Sequence, residues 1–337
     1  MLKRILFLLI FILSITDIYS QRIGIGISIN RRIKSNPVVV QQYYVSSTDG
    51  NDLNDGLSPG NAFATIDKVN TLNLSGSINK VLFKRGDSFV GTITVGQSGT
   101  LQKPIIFDAY GSGEKPVIYG SELITGWTLH SGNIYKASYA TTITQLFSND
   151  ERLKVARYPN TGYATVTTVN NTTQFIASGI PSQTTDYYKD TKWIGRTNEW
   201  VMQTRNVTTS TGNTLTLESA PTESLGVNEG FILVGKLEFL DEAGEWYYDA
   251  AADLVYVWLS DSSNPSTKTM RGSVYDNGVS IPNSYGYITI SNLDFRQQKK
   301  NGVITTGQSN FVTISNCNFE NQELVGIKID GPGLVVS

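Results

Sequence analysis

The sequence predicts an all-β protein, a parallel solenoid interrupted by an antiparallel β-domain, and three observations carry that reading. The 337 residues are rich in Thr, Ser, Asn, Gly, Val, Ile and Tyr, which favour strands and turns over helices. Near the end, "YITISNLDF" (Tyr287 to Phe295) returns as "FVTISNCNF" (Phe311 to Phe319) without a gap, the mark of stacked structural repeats. Between them and the amino-terminal part lie longer alternating runs such as "NTLTLES", "GFILVGKLEFL", "GEWYYD" and "LVYVWLS". Alternation of that length reads as antiparallel sheet with one solvated face.

The amino terminus reads as a signal peptide over 1–20. Lys3 and Arg4 precede the apolar run Ile5 to Ile15, and Ser20 offers a small residue for cleavage. The run is too short to cross a bilayer, and no cysteine follows closely to carry a lipid. The expected location is secreted, cell-surface or periplasmic, with no membrane span after cleavage. Residues 21–42 read as a linker or an edge strand.

Residues 43–126 read as a cap and the first solenoid segments. Tyr43 to Ser46 form a strand, a loop rich in Asp, Asn and Gly follows, and Asn61 is placed to cap a short helix with Phe63, Ile66 and Val69 on one face. The loop lacks the alternation of an EF-hand and reads as a turn rather than a metal site. "KVLFKRGDSFVGTITV" and "KPIIFDAYGSGEKPVIYGS" are short strands punctuated by glycine. Their Arg85-Gly86-Asp87 matches an adhesion tripeptide and equally an ordinary strand-ending turn.

Residues 127–276 form the inserted β-domain, a sandwich or barrel. Four of the five tryptophans (Trp193, Trp200, Trp246, Trp258) lie in its second half, as core residues or as a platform for sugar rings. Arg157 in "ARYPN" is expected to anchor this domain on the solenoid, with Tyr158 packing.

Residues 277–337 carry the repeat, offset by 24. Ile288 and Ile290 fall in the columns of Val312 and Ile314, pointing inward, while Thr289 and Thr313 point out. Asn292 and Asn316 are placed to form an amide ladder at a corner. Cys317 occupies the column of Leu293 and reads as a small buried hydrophobe, not a nucleophile. The same offset pairs Thr305 with Ile329 and Gly307 with Gly331. It also sets Val335, Val336 and Ser337 in the columns of Phe311, Val312 and Thr313, so a longer protein with further copies is expected.

Bulk properties exclude some chemistries. A formal net charge of −2 without basic clusters argues against nucleic acid. One cysteine leaves no internal disulfide, and a single histidine, His130, argues against His-rich metal sites and a Ser-His-Asp triad.

The order of "YYVSSTDGNDLNDGLSPGNAFATI", "LFKRGDSFVGTI", "PIIFDAYGSGEKPVIYGS", "RLKVARYPNTG", "LDEAGEWYYD" and the repeat resembles secreted right-handed parallel β-helix proteins of the pectate-lyase-like superfamily. It is most similar to the bacterial carbohydrate-active branch in which a β-domain interrupts the first rungs. The resemblance implies an exported protein whose partner is a polysaccharide lying along a groove on one sheet. A glycoside hydrolase is the leading expectation. A polysaccharide lyase, with calcium as its possible cofactor, and a non-catalytic glycan-binding or adhesin protein are the alternatives. In the repeats the ionisable residues taken as exposed are Asp294, Arg296, Lys299, Lys300, Glu320, Glu323, Lys328 and Asp330. Glu320, Glu323, Lys328 and Asp330 are the groove candidates. No catalytic pair and no metal ligands are assigned.

Overall fold

A computed structural model describes residues 40–337. The expected signal peptide and the stretch 21–39 lie outside them, while Val40 to Gln42 belong to the first strand, Val40–Val45. Among the described residues the chain is all-β apart from one helix, Ile66–Asn70, and short 3-10 turns. That helix is capped by Thr65, whose hydroxyl accepts from the Lys68 N–H, and not by Asn61 as expected. Asn61 instead ends a 3-10 turn, Pro59–Asn61, that Pro59 starts seven residues before the helix begins at Ile66. Ile66 and Val69 are buried, and Phe63 joins them in the core from the preceding segment.

Three parallel sheets hold the first core. The first sheet runs Val40–Val45, Ile78–Lys84, Ile105–Tyr110, Gly286–Ser291, Asn310–Ser315, Val335–Val336. The second stacks Ser88–Val90, Val117–Tyr119, Asp294–Arg296 and Asn318–Glu320. The third stacks Ile93–Thr94, Asn277–Ile281, Asn301–Gln308 and Val325–Asp330. The chain visits the sheets in turn, so each circuit lays one strand on each. Ile288, Ile290, Val312 and Ile314 are at most 1% exposed and stack in register. Burying each such side chain contributes roughly 1.5–3 kcal/mol. Phe295 and Phe319 stack at 5.3 Å with planes 13° apart.

Each circuit bends at residues in the left-handed region, and those corners recur. Tyr287 and Phe311 both have φ 54°, Asn292 and Asn316 have 57° and 49°, and Gln297 and Asn321 have 63° and 62°. Asparagine tolerates this conformation better than other side chains, and its amide then bridges the coils. Asn316 Nδ2 donates to Asn292 Oδ1 at 2.6 Å, and Asn292 Nδ2 donates to Asp108 Oδ1 at 2.6 Å. A second pair, Asn301 Nδ2 to Asn277 Oδ1 at 2.8 Å, stands at another corner. Leu293 is fully buried; Cys317 above it packs on the core edge, half-buried.

The 24-residue register holds through Ile304 and Lys328 and then breaks. Gln308 pairs with Asp330, and Thr313 and Ile314 pair with Val335 and Val336. The expected partner of Thr313 is therefore wrong by two positions, and with it the columns set for Phe311 and Val312, while Thr305 and Gly307 fall in the irregular stretch between the two registers. A bulge in Asn301–Gln308 takes up the difference, and the Thr305 hydroxyl accepts the Asp330 N–H at 2.8 Å. Gly331 (φ 125°) makes the shortened corner possible, since a Cβ there would lie 2.0 Å from the Ser309 carbonyl oxygen.

The insertion splits one circuit between its second strand, Val117–Tyr119, and its third, Asn277–Ile281. At its root Ser121–Leu123 pairs antiparallel with the returning Met270–Ser273. Leu146–Ser148 and Glu151–Arg152 complete this root sheet. Beyond it, Ala164–Val169, Gln174–Ser178, Thr214–Leu217, Val201–Thr211, Lys192–Asn198 and Gly230–Val234 form a closed barrel. Closure comes from Gly230–Val234, which pairs with both Ala164–Val169 and Lys192–Asn198. Trp193 fills the barrel against Phe175 and Phe231, lying over Gly195, where a Cβ would sit 1.8 Å from its ring.

Candidate functional site

The four groove candidates do not converge. Glu320 ends the second sheet, Glu323 lies in the following turn, and Lys328 and Asp330 belong to the third sheet. All four are exposed. Glu323, Lys328 and Asp330 form no ion pair among the described residues, whereas Glu320 Oε2 lies 3.5 Å from Arg296 Nε.

Arg296 is the centre of the densest charged cluster on the parallel sheets. In Asp294–Arg296 the middle residue, Phe295, points into the core, so Asp294 and Arg296 face outward. Ladder register places Tyr119 below Arg296 and Glu320 above it in one column. Arg296 Nη2 and Nε hold Asp294 Oδ2 at 2.8 and 3.1 Å. Its Nη1 lies 3.5 Å from Asp150 Oδ2. Asp294, expected to be exposed, is 4% accessible, because the guanidinium folds back over it. Its Oδ1 is buried without a hydrogen-bond partner.

Asp150 arrives from the insertion. Leu146–Ser148 and Glu151–Arg152 are joined by Asn149 (φ 49°) and Asp150 (φ 67°), the two left-handed residues of a type I′ hairpin turn, for which Asn and Asp are suited. The tip carboxylate accepts from the Tyr119 hydroxyl at 3.1 and 3.0 Å and from Gln297 Nε2 at 2.8 Å. Burial, reinforced by the Asp150 charge, pushes the Tyr119 hydroxyl pKa up, so it remains a donor. Donating to the Asp294 carboxylate pushes the Arg296 pKa up as well, keeping it charged. Arg271, 8% accessible, lies 4.1 Å over the Tyr119 ring and donates to Ser121 Oγ and O at 3.0 and 2.8 Å. Burial lowers its pKa.

Asp150 and Glu320 therefore present two water-accessible carboxylates against one guanidinium, with Asp294 buried behind it. Their contact distances to Arg296 keep the two within the limit of about 9.5 Å that inverting glycoside hydrolysis uses. Neither Asp150 nor Tyr119 was singled out from the sequence. The one available signal was "SNDE" between two β-runs, a hairpin pattern, which fixes a turn and not what its tip meets.

Other expectations change. Asp87 of the Arg-Gly-Asp tripeptide is 4% exposed and accepts from Ser46 Oγ at 2.7 Å and Thr48 Oγ1 at 3.0 Å, so it is unavailable as an adhesion motif. Asp52 caps the chain before the helix by accepting from Ala64 N, Thr65 N and Thr65 Oγ1. Arg157 donates to the carbonyls of Pro159 and Gly162 and Tyr158 packs on Phe239, all within the insertion, so Arg157 does not anchor it on the coils. Its donors are consumed by its own turn. Trp193 and Trp246 are core residues, Trp258 is half-buried with its N–H on Ser262, and Trp200 alone of the four is 80% exposed.

No protein-family model matches the chain, and no curated protein matches it. Among solved structures, one described as a glycoside hydrolase is 14% identical with a TM-score of 0.64, over 82% of this chain and 65% of that one. The complex of XylC with xylose is 13% identical with a TM-score of 0.41, over 82% and 40%. GH136 lacto-N-biosidase from Eubacterium ramulus is 15% identical with a TM-score of 0.31, over 88% and 34%. The chain thus spans less than two thirds of each. At this identity the first likeness shows a shared fold, and its sequence carries no further claim.

Proposed function

We propose that this chain belongs to an exported polysaccharide-processing protein, built as a right-handed parallel β-helix with an inserted barrel domain, that acts as a glycoside hydrolase. The observation that carries the proposal is the pairing of Asp150 and Glu320 across Arg296 on the outer face of the second sheet. Hydrolysis needs one carboxyl to give a proton to the leaving glycosidic oxygen as the C–O bond breaks. A second carboxylate takes a proton from the attacking water. Asp150, which accepts from Tyr119 and Gln297 beside Arg296 as a carboxylate, suits the water side. Glu320, the more exposed and met only by the 3.5 Å ion pair to Arg296, suits proton delivery to the leaving oxygen. Arg296 acts as a positioning residue between them. The parallel sheets and the fold likeness support the β-helix reading, and the amino-terminal sequence supports export.

The test is to incubate the purified protein with a panel of neutral and acidic polysaccharides. New reducing ends without unsaturated sugars, reduced at least a hundredfold by Asp150→Asn and by Glu320→Gln, are expected. Unsaturated products would replace hydrolysis by elimination. Binding with no product from any glycan would make the protein a non-catalytic glycan binder.

A further inference from the structure

The hairpin that delivers Asp150 also forms one wall of an open pocket. Asn149 and Glu151, the neighbours of Asp150, line it together with Leu153, Leu259, Asp261 and Lys268, and its volume is about 290 Å³. That is near the lower end of ligand sites, enough for one small ring. Leu259 is buried and Leu153 half-buried, giving an apolar surface beside a polar rim. Lys268 Nζ is held by Asp261 Oδ2 at 2.7 Å, and Asp261 Oδ1 is fixed by the Ser263 N–H and hydroxyl. Glu151 is exposed and has no hydrogen bond or ion pair from its side chain among the described residues. The rim thus sets two carboxylates against one ammonium.

We infer that this pocket is a sugar subsite adjoining the Asp150 cluster, and that it selects uncharged sugar rings over uronates. The inference rests on the glycan reading above and adds a substrate class to it. A pyranose has an apolar face for the half-buried Leu153 and hydroxyls that donate to Glu151 and accept from Lys268. Asn149 and Glu151, on either side of Asp150, line the pocket, so it sits at the hairpin whose tip enters the Arg296 cluster. A uronate there meets the unpaired Glu151, a charge of its own sign, while Lys268 and Asp261 neutralise each other. Lys268 is also pinned in place, which lets the rim hydrogen-bond without reorganising. The pocket would therefore steer the protein away from the acidic polysaccharides that elimination requires.

The experiment measures binding, separately from turnover. Xylotriose, cellotriose, maltotriose and trigalacturonate are titrated into the purified protein by calorimetry, at 20 and 300 mM salt, with wild type, Glu151→Gln and Glu151→Lys. At least one neutral trisaccharide is expected to bind wild type more tightly than trigalacturonate. Reversing one charge near the ligand shifts the neutral-to-uronate ratio by roughly fivefold to thirtyfold toward trigalacturonate in Glu151→Lys, and by about half that exponent in Glu151→Gln. The shift shrinks at the higher salt. Unchanged melting temperatures establish that the exposed substitutions leave the fold intact. Tighter binding of trigalacturonate to wild type, an unchanged ratio in Glu151→Lys, or no binding of any trisaccharide overturns the subsite. Hydrolysis in the panel with an unchanged ratio removes the subsite and leaves the enzyme. A ratio that shifts without hydrolysis keeps the subsite and removes the hydrolase.

Discussion

Replacing Arg296 by Met tests whether the cluster depends on one guanidinium. The Asp294 side chain is 5% exposed, its Oδ2 is held at 2.8 and 3.1 Å, and its Oδ1 is buried without a partner. Methionine matches the stem but removes every donor, leaving an uncompensated buried carboxylate. Breaking a buried pair from one side costs about 3–5 kcal/mol. Arg296 is itself 28% exposed, so water reaches part of the vacancy and the lower end applies, about 3 kcal/mol. At 2–4 °C per kcal/mol, the melting temperature falls by roughly 6–12 °C. Asp294→Asn alone leaves Arg296 with Asp150 and Glu320 and costs about 1 kcal/mol. The double variant has neither charge to strand and should sit near the Asp294→Asn value, a coupling of about 3 kcal/mol. Urea and thermal unfolding of the four proteins, followed by circular dichroism, give the cycle. If the double variant falls by the sum of the single losses, Asp294 does not depend on Arg296, and the account of the cluster fails.

Two further outcomes follow from the coils. At Gly302 a Cβ would lie 2.3 Å from Phe319 Cδ1 and 2.5 Å from the Gly326 carbonyl oxygen, so Gly302→Ala should cost about 3 kcal/mol, the upper end for overpacking; Gly60, with nothing within 4 Å, should accept Ala within about 0.5 kcal/mol. Burial pushes the Asp52 carboxyl up, but the Thr65 hydroxyl and the Ala64 and Thr65 N–H groups outweigh it and leave its pKa below 3.8. A lowered folded pKa means stability that is present above the unfolded value and is lost as pH falls through the folded one. The stability profile of wild type should therefore drop below about pH 4 more steeply than that of Asp52→Asn, which loses about 1 kcal/mol at pH 7; parallel profiles would remove Asp52 as a cap.

The coils were legible because each carries the same side chains in the same places. Asn292 and Asn316, or Ile290 and Ile314, announce a stack since identical groups touch their own copies. The two-residue shortening of the last circuit was not legible, because it depends on a bulge after Ile304 that no spacing records. Alternating strands gave the insertion but not its closure, since barrel and sandwich share one pattern; pairing at both edges of Gly230–Val234 decides it. Asp294 was read as exposed from alternation alone. Alternation says which way a side chain points and not what lies over it. The Arg296 cluster gathers Tyr119, Asp150, Asp294 and Glu320 from three coils and a hairpin, which have no shared period. Sequence reasoning offered Glu320 as a groove candidate and did not single out Asp150, which meets the same guanidinium.

That hidden partner makes the insertion part of the site and not an appendage. The circuit that carries Tyr119 is finished by Asn277–Ile281 only after the chain has passed through the insertion, and closing so long a loop is entropically costly. The root offsets this cost with the antiparallel pair Ser121–Leu123 and Met270–Ser273, and both Val274 and Tyr275 N–H groups donate to the Gly120 carbonyl at 2.9 Å. Gly120 has no room for a side chain, since a Cβ would lie 2.5 Å from Gln298 Cα. Around it Ser121, Gln145, Arg271, Ser273 and Gln297 are buried and hydrogen-bonded. Such a network stabilises one register against others, because a slip strands several polar groups at once. The Asn149–Asp150 turn hangs from the same sheet, so the register of the root fixes the reach of Asp150 toward Arg296. Loosening the root should then separate Asp150 from Glu320 before it unfolds any coil, and the proposed hydrolysis would be lost ahead of the parallel sheets.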